Sequence, residues 1–464
     1  MGTSEKFDVR GRRVVVVGAA RSGIAVANLL VSRGALVTLT DTRPAIQDES
    51  ALRLRGVVLE LGRHRLETLT GADLIVLSPG VPPRQPVLDA ARAAGVPVTG
   101  ELELASRWLP GRIVAITGTK GKSTTTTLTG RMFEADGRRT RVGGNIGLAL
   151  SAQVDDSTPD TIHVVEVSSF QLEMTERFHP WIAALLNFSP DHLDRHASVE
   201  EYAGAKARIF ANQTPADWAV VNADDAPALE LSAASPAKPF RFSMRGDLRG
   251  QREGVVIAGD LIVHRTSEGD VPLVPLTSVR LLGQHLLSDV LAAASIARIA
   301  GIAPEAMTRA VEGFTGLEHA LEPVGEAGGV RFVNDSKATN IAAARLAIES
   351  FDRGLVVILG GKFKGGDFRD LRGPLASRAD AVVAIGEAAD LVVEALEGAV
   401  PVRRAASMSD AVRSAYAAAS PGGTVLLAPA CASFDMFRDY AERGRVFKGE
   451  VERLTREVER TREQ

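Results

Sequence analysis

Short apolar runs alternate with helical stretches along most of the chain, and glycine or polar residues follow many of the runs. The first run, residues 14–17, leads into a glycine turn at residues 18–23 and then into an apolar periodic stretch at residues 24–30. This order predicts a strand, a turn and a helix. Further strands are predicted at residues 35–40 and 73–77. The pattern is typical of an open parallel sheet that binds its ligand at the carboxyl edge.

The same alternation extends towards the C-terminus and predicts three α/β domains. A short helical stretch and a Leu-Pro-Gly break follow Gly100, where we place the first boundary, and the second lies near Thr315 and Gly316. A length of 464 residues suits three domains, which we predict at residues 1–100, 101–316 and 317–464. The charges of residues 438–464 recur at helical spacing and indicate a solvated helix face.

Composition narrows the classes of function. The net charge is −3, from 54 basic and 57 acidic residues, so no field of the whole molecule attracts nucleic acid or an anionic membrane. The single cysteine, Cys431, excludes an internal disulfide and a cysteine metal cluster, and it suits a reducing compartment. The first residues carry no apolar signal core, and no uncharged apolar run reaches about 20 residues. We therefore expect a soluble cytoplasmic protein in which any anion site is local.

The strongest local pattern is a strand at residues 113–117 that turns through Gly-Thr-Lys-Gly into a helix beginning with Lys122. Strand, glycine turn and helix N-terminus together predict a phosphate loop, whose backbone N–H groups point at an anion. Lys122 would reach the β- and γ-phosphates, and Ser123 or Thr124 would ligate Mg²⁺. Ile116 stands where the strict motif has its first glycine, so this is a shorter variant. ATP or GTP is the predicted ligand.

Charged residues also occur in and after two other apolar strands. Glu166 lies inside an apolar run, and a buried carboxylate needs a cationic partner. Beside a phosphate loop the predicted partner is Mg²⁺, with a structural ion pair as the alternative. His192 follows another apolar run amid Asp and Asn, and Lys206 lies on the helix predicted at residues 200–210. We predict that His192 is a site residue.

The glycine turn of the first domain leaves two interpretations open. Gly18 and Gly23 match the outer positions of the dinucleotide fingerprint, but the middle glycine is missing. This absence disfavours the close approach of backbone to a pyrophosphate. From these residues alone, a plain βα turn and a nucleotide-diphosphate site fit equally well.

Three motifs of the second domain resemble the Mur ligase superfamily. They are the loop at residues 118–123 (GTKGKS), the strand end at 166–172 (EVSSFQL) and the Asp-His-x-Asp sequence at 191–194, in the order in which that family has them. In the third domain, residues 334–340 (NDSKATN) and 429–435 (PACASFD) are similar to those of the member that adds D-glutamate. The resemblance covers essentially the whole chain.

The resemblance implies an α/β protein with a Rossmann-like N-terminal domain, a central phosphate-loop ATPase domain with a mostly parallel sheet, and a Rossmann-like C-terminal domain. It implies a monomeric ligase of peptidoglycan synthesis that adds D-glutamate to UDP-N-acetylmuramoyl-L-alanine through an acyl phosphate, with ATP as co-substrate. Another ligase of the superfamily, adding L-glutamate or similar to folylpolyglutamate synthetase, is one alternative. A nucleotide-binding module without ligase activity is the other.

The resemblance also assigns residues to ligands. Catalysis is assigned to Lys122, His192 and Lys206. Two Mg²⁺ ions are implied, one on Ser123 and Glu166 and one on His192 and a carbamate of Lys206. The residues assigned to ATP are Gly118, Thr119, Lys120, Gly121, Lys122, Ser123, Thr124, Asp335 and Lys337. Those assigned to the UDP substrate are Arg21, Ser22, Thr42, Ser78, Gly80, Asn145, Ser168 and Gln171. Those assigned to D-glutamate are Thr339, Lys364, Ser433, Phe434 and Tyr440.

The chain departs from the family pattern at several of these positions. Lys120 replaces an asparagine in the phosphate loop, and Leu286 and Asp289 replace two asparagines near the adenine. Ala320 stands where the family has an arginine, and Tyr440 stands where some relatives have phenylalanine. We therefore predict an altered affinity for the nucleotide.

Overall fold

The computed structural model describes residues 7–46, 48–191, 195–280, 284–419 and 421–462. Two compact units are present. The first comprises the chain up to Val279 and Leu287–Gly313, and it contains two sheets. The second comprises Arg280–Leu286 and the chain from Phe314 onwards, and it contains the third sheet. None of the described helices combines the length and the apolar character needed to cross a bilayer.

The N-terminal sheet is fully parallel, in the order β3-β2-β1-β4-β5. Its strands are β1 (Arg13–Val17), β2 (Leu36–Asp41), β3 (Val58–Leu61), β4 (Leu74–Leu77) and β5 (Val98–Gly100). Its helices are α1 (Arg21–Ser32), α2 (Glu49–Leu54), α3 (Leu66–Thr70) and α4 (Pro86–Ala93). The sequence did not predict β3, because this edge strand has four residues and none of them is buried. The order reverses between β1 and β4, which is where such sheets bind ligands.

The central sheet has nine strands in the order β14-β13-β12-β11-β10-β9-β6-β8-β7. They are β6 (Arg112–Thr117), β7 (Thr140–Gly144), β8 (Ile162–Glu166), β9 (Ile182–Leu185), β10 (Trp218–Asn222), β11 (Lys238–Ser243), β12 (Gly254–Ala258), β13 (Leu261–Thr266) and β14 (Gly269–Pro275). The strands β6 to β12 pair in parallel, and β13 and β14 add antiparallel pairs at one end. The phosphate-loop strand β6 therefore lies between β8 and β9.

Helices follow most strands of the central sheet. They are α5 (Glu101–Ser106), α6 (Lys122–Ala135), α7 (Ser169–Leu172), α8 (Val199–Ala207), α9 (Ala226–Ser232), α10 (Gln284–Ile299) and α11 (Pro304–Glu312). The helix predicted at residues 200–210 ends as an α-helix at Ala207, and Arg208–Phe210 continues it as a 3₁₀ turn. Such tightening is common where a helix ends.

The C-terminal sheet has the order β15-β16-β20-β17-β18-β19, parallel except for the β15–β16 pair. Its strands are β15 (Glu322–Ala327), β16 (Val330–Asn334), β17 (Leu355–Gly360), β18 (Ala379–Ile385), β19 (Val402–Ala405) and β20 (Thr424–Leu427). Its helices are α12 (Ile341–Glu349), α13 (Arg372–Arg378), α14 (Ala389–Leu396), α15 (Met408–Ala418) and α16 (Tyr440–Arg462). Separate apolar clusters occupy the two faces of the sheet. The three sheets with their helices confirm the predicted fold class.

Buried carboxylates attach the start of the second predicted domain to the rest of the first unit. Glu103 on α5 is fully buried, and its Oε2 accepts hydrogen bonds of 2.9 Å from the backbone N–H groups of Glu176, Arg177 and Phe178. Glu101 on the same helix accepts a 2.7 Å bond from the N–H of Ser151. Three donors on one oxygen stabilise a buried charge, so α5 is held firmly against the central sheet.

Candidate active site

The phosphate loop follows β6 directly and ends at Gly121, which caps α6. Gly121 has φ of 81°, and a Cβ there would stand 2.1 Å from Oδ1 of Asp289. Both the left-handed backbone and the close approach therefore require glycine at this position. The first turn of the 14-residue helix α6 holds no acidic side chain, and its N-cap makes no side-chain bond. Its N–H groups and dipole therefore favour an anion.

Lys122 is held by the loop itself. Its Nζ donates to the carbonyl oxygens of Gly118 and Thr119, at 3.0 and 2.9 Å. The side chain thus folds back over the loop that the sequence assigned to phosphate. A triphosphate in this loop would meet the ammonium group of Lys122 directly.

Asn187, just beyond β9, shapes the loop from the neighbouring strand. Its Oδ1 accepts from the N–H groups of Thr119 and Lys120, at 3.1 and 2.9 Å, and its Nδ2 donates to the carbonyl of Lys120 at 3.1 Å. One amide side chain therefore satisfies three backbone groups of the loop. The sequence did not single out Asn187, although its place after an apolar strand was a signal.

Glu166 ends β8 beside the loop strand, since Ile116 and Glu166 are paired in the sheet. The residue is 2 % exposed, and its Oε1 accepts a 2.8 Å bond from Nδ2 of Asn145. The second oxygen, Oε2, is buried and has no hydrogen-bond partner within the described ranges. A buried carboxylate oxygen left open next to a phosphate loop has the chemistry of a ligand for Mg²⁺. The residues present thus fit this ion.

Lys206 is the second lysine at the loop. It is 1 % exposed, its Nζ donates to the carbonyl of Gly118 at 2.8 Å, and it lies 4.8 Å from the ring centre of Tyr202. Burial lowers the pKa of Lys206 to about 6, and the nearby charge of Lys122 acts in the same direction. At neutral pH the amine is therefore largely uncharged. Both lysines reach the same carbonyl, which brings these two predicted catalytic residues together; His192 lies outside the described residues.

The residues assigned to the UDP substrate follow β1, β2 and β4 of the N-terminal sheet and β7 and β8 of the central sheet. Oγ of Ser78 donates to the carbonyl of Gly18 at 2.7 Å and so supports the turn after β1. Arg21 begins α1 beside Ser22 and donates to the carbonyl of Gly147 at 3.0 Å. Thr42 follows β2 and is exposed, and the carbonyl of Gly80 accepts from Arg195 at 3.4 Å. The assigned residues that follow β1, β2 and β4 thus lie at the carboxyl edge of the N-terminal sheet, beside its switch point.

Ser168 and Gln171 form a capping box at the start of α7. Oε1 of Gln171 accepts from the N–H of Ser168 at 2.9 Å. Nε2 of the buried Gln171 has no hydrogen-bond partner within the part of the chain that is described. A donor left free in this way can serve a bound ligand.

The residues assigned to ATP and glutamate in the second unit follow three adjacent parallel strands. Asp335, Lys337 and Thr339 follow β16, Lys364 follows β17, and Ser433 and Phe434 follow β20. Ser433 is buried, whereas Phe434 is 67 % exposed and Tyr440 is 41 % exposed. The carboxyl ends of these strands share one edge, so the sheet gathers the predicted residues there.

Arg443 is a buried cation that the sequence did not single out. It lies on α16, is 2 % exposed, and its guanidinium donates to Oγ and the carbonyl oxygen of Ser336, each at 2.9 Å. It also donates to the carbonyl oxygens of Cys431 and Ala432, at 3.1 and 3.3 Å. Arg443 therefore ties the Asn-Asp-Ser-Lys motif to the Pro-Ala-Cys-Ala motif. The prediction of a solvated α16 was incomplete, because Phe447, Val451 and Leu454 are also buried.

Replacing Arg443 with methionine should destabilise the second unit by about 3 kcal/mol, because the buried carbonyls of two motifs lose their donor. Hydrogen exchange of peptides from β16 and β20 measures the change. The matched control is Arg445→Met, because Arg445 is exposed on the same helix; it should change stability by less than about 0.5 kcal/mol. Equal protection in the two variants would contradict the assigned role.

Asp335 makes the stability of the second unit depend on pH. Burial raises its pKa from the ordinary 3.8 to about 7, although the N–H of Leu321 and the charge of Lys337 oppose this. The folded state therefore keeps a proton that the unfolded state releases, so this contribution is complete below pH 4 and is lost as pH rises through 7. Moving the pKa this far corresponds to roughly 4 kcal/mol.

Asp335→Asn should therefore stabilise this unit relative to wild type at pH 8 and make little difference at pH 4.5. The free energy of unfolding is measured in urea at both pH values, with hydrogen exchange of β16 as the signal. A difference of the same size at the two pH values would contradict the raised pKa.

The three sheets define an α/β protein whose central sheet carries a glycine loop between a buried strand and a helix N-terminus, a setting that favours an anion. Three family profiles match it: "Mur ligase MurD-like, N-terminal domain" over residues 12–100, "Mur ligase middle domain" over 116–297 and "Mur ligase, glutamate ligase domain" over 321–431. The chain belongs to the Mur ligase family, and it is an enzyme of the ligase class.

Curated relatives match this chain over most of its length. The UDP-N-acetylmuramoylalanine–D-glutamate ligase of Acidobacterium capsulatum is 49 % identical over 95 % of this chain and 96 % of its own length. The enzyme of the same name from Pelobacter propionicus is 45 % identical over 97 % of this chain and 100 % of its own. This chain thus corresponds to nearly the full length of each relative.

Solved structures support the fold. A UDP-N-acetylmuramate-alanine ligase from Thermotoga maritima has a TM-score of 0.59 at 17 % identity, covering 95 % of this chain and 99 % of its own. A pseudomurein peptide ligase from Methanothermus fervidus has a TM-score of 0.59 at 17 % identity, covering 96 % of this chain and 100 % of its own. At this level of identity the likeness concerns the fold.

Proposed function

We propose that this chain joins D-glutamate to UDP-N-acetylmuramoyl-L-alanine, using ATP, in peptidoglycan synthesis. Relatives that are 40–49 % identical over nearly their full length are named UDP-N-acetylmuramoylalanine–D-glutamate ligase. The observation that carries the proposal is the arrangement of Lys122, Lys206 and Glu166 around one phosphate loop. A loop that only bound a nucleotide would not need a second, buried lysine at Gly118.

The reaction that we propose activates the carboxylate of the alanyl substrate as an acyl phosphate. The carboxylate oxygen bonds to the γ-phosphorus, the bond from that phosphorus to the bridging oxygen of ADP breaks, and ADP leaves. The amine of glutamate then attacks the acyl carbon, and phosphate departs as the amide forms. Because both first reactants are anions, the loop must offset their repulsion, and Lys122 and the N–H groups of α6 supply positive potential there.

We propose that Ser123 and Glu166 hold one Mg²⁺, and that His192 and a carbamate on Lys206 hold a second. Bound Mg²⁺ would neutralise phosphate charge and orient the transferring group. Support for the first position is the open, buried Oε2 of Glu166. Support for the carbamate is the burial of Lys206 beside the loop, because a lysine must be neutral to react with CO₂.

For the substrates, we propose that the turn after β1, with Ser78 and Gly80, holds the UDP end and that Asn145 and Gln171 hold the muramoyl end. The free Nε2 of Gln171 and the Asn145–Glu166 hydrogen bond support the second assignment. In the second unit we propose that Lys364, Thr339 and Ser433 bind glutamate, and that Asp335 and Lys337 bind ATP. One cation and two hydroxyls suit a pair of carboxylates.

Release of ADP tests the function. Purified protein with Mg²⁺, ATP, UDP-N-acetylmuramoyl-L-alanine and D-glutamate should form ADP and an amide product, detected by a coupled assay and mass spectrometry. Omission of any one substrate should abolish the product, and L-glutamate should not replace the D-isomer. ADP formation without the UDP substrate, or a preference for L-glutamate, would overturn the proposal in its present form.

Two departures from the family pattern have different structural settings. Leu286 is buried in the apolar core of the second unit, so an asparagine there would bury an amide. Asp289 is 5 % exposed and lies against Gly121 at the phosphate loop. Burial raises the pKa of Asp289 well above 3.8, although Thr125 and Lys122 oppose this. A protonated Asp289 closely matches an asparagine in shape and can also donate a hydrogen bond.

Asp289→Asn should therefore lower the KM for ATP by a larger factor at pH 9 than at pH 6, because the share of ionised carboxylate rises with pH and the ionised form repels the phosphates of the nucleotide. We expect about a tenfold difference at the higher pH, because one nearby charge in a partly buried site is worth roughly 1–4 kcal/mol. Steady-state kinetics at both pH values measure it. A KM for ATP that does not differ between the enzymes at pH 9 would contradict this role of Asp289.

A further inference from the structure

A groove with a volume of about 1430 Å³ lies in the first unit, away from the phosphate loop. Six arginines line what we call the arginine groove: Arg10, Arg12, Arg33, Arg107, Arg112 and Arg177. Arg112 begins β6, whereas the loop follows Thr117 at the other end of that strand. A strand of this length spans roughly 17 Å. The groove therefore lies at the amino edge of the central sheet, opposite the site described above.

The arginine groove carries excess positive charge. Arg10, Arg12, Arg112 and Arg177 are exposed, and none forms an ion pair with a carboxylate in the described part of the chain. The two other arginines have partners: Arg33 pairs with Asp155 at 2.7 Å, and Arg107 pairs with Glu103 at 2.9 Å. The acidic residues of the lining are Asp8 and Asp217. Asp217 is already bonded to His179 at 2.7 Å, so most of the positive charge is not offset.

Aromatic rings fix several of these guanidinium groups. Arg112 lies 4.6 Å from the ring centre of Trp181, and Arg107 lies 4.8 Å from that of Phe7. Arg33 lies 5.7 Å from the ring centre of Trp108. Stacking on a ring orients the guanidinium plane and leaves its N–H edge available. Among these three, Arg112 has no carboxylate partner in the described residues, so its oriented fork of donors is available to match the oxygens of a phosphate group.

We propose that the arginine groove binds a polyanion with two or more phosphate groups. Four unpaired guanidiniums spread over a groove of this volume exceed what one phosphate can contact. Paired N–H donors fit phosphate better than a point charge would, and the net charge of −3 confines the attraction to this face. Soluble oligophosphates and neighbouring headgroups of anionic phospholipids share this chemistry.

Tryptophan fluorescence tests the proposal, because two of the three tryptophans, Trp108 and Trp181, line the groove. Trp218→Phe removes the third signal, so the fluorescence then reports on the two tryptophans of the groove. Tripolyphosphate should then change the fluorescence with an affinity that falls as salt rises. In Arg112→Gln/Arg177→Gln the affinity should drop about a hundredfold, roughly tenfold for each charged donor lost. Ligase turnover without tripolyphosphate should remain unchanged.

Arg331→Gln/Arg353→Gln is the matched control, because it removes the same charge from exposed positions of the second unit. It should bind as wild type does. Co-sedimentation with vesicles of phosphatidylcholine and phosphatidylglycerol distinguishes the sources: binding of vesicles alone assigns headgroups, and binding of tripolyphosphate alone assigns a soluble ligand. Equal binding by wild type and the groove variant, no binding of either probe at low salt, or equal affinity for poly-L-glutamate would each overturn the proposal.

Discussion

Lys122→Met should reduce kcat for ADP formation by about a thousandfold, because the ammonium group that offsets the repulsion between two anions is lost. The substitution keeps a long unbranched side chain, and it removes the bonds of Nζ to the carbonyls of Gly118 and Thr119. The fold should therefore persist. Steady-state measurement of ADP release, together with circular dichroism of the variant, tests both parts of this expectation.

Lys120→Met is the control for this experiment. Lys120 lies in the same loop and is exposed, and its backbone N–H and carbonyl bond to the side chain of Asn187. Loss of its side-chain charge should reduce kcat by less than about tenfold. If Lys120→Met and Lys122→Met lowered kcat equally, the loss would reflect the charge of the loop as a whole. This result would contradict the specific role assigned to Lys122.

Lys206→Arg should lower kcat by at least about a hundredfold, since arginine stays protonated and cannot carry a carbamate. Turnover is measured in the presence of bicarbonate. In parallel, ¹³C NMR of wild type in ¹³C-bicarbonate should show one carbamate resonance that is absent from the variant. Lys206→Met removes the amine without adding bulk and should be equally impaired.

Turnover and the carbamate resonance together distinguish a chemical role of Lys206 from a structural one. Lys206 is buried and bonded to Gly118, so any substitution disturbs the loop to some extent. A wild-type spectrum without a carbamate resonance, at bicarbonate concentrations that support full turnover, would contradict the carbamate while leaving the structural role of Lys206 intact. Full activity of Lys206→Arg would contradict both.

Local features of the chain made much of the site predictable. The strand at Arg112–Thr117 and the helix from Lys122 are visible because apolar periodicity changes within a few residues across two glycines. The three α/β domains followed from the same periodicity. In contrast, the short edge strands β3, β15 and β19 were not predicted, because few of their residues are buried.

Such local patterns could not predict contacts between segments that are distant in the sequence. Asn187 reaches the loop because β9 pairs with β6, and Arg443 reaches Ser336 from 107 residues away. A charge-dense helix suggests solvent exposure, since burial of a guanidinium is costly unless its donors find acceptors. Only the arrangement of β16, β20 and α16 supplies those acceptors.

The sequence by itself determined which chemical groups are present and where the chain can turn, because a phosphate loop needs only consecutive residues and a helix N-terminus. The order of the strands in the sheets decided which of these groups meet in the site. It set Lys206 on the same carbonyl as Lys122, left one oxygen of Glu166 buried without a partner among the described residues, and enclosed Asp289 against Gly121. The reason is that burial and proximity, which control pKa values and open ligand positions, are properties of packed segments that lie far apart in the chain.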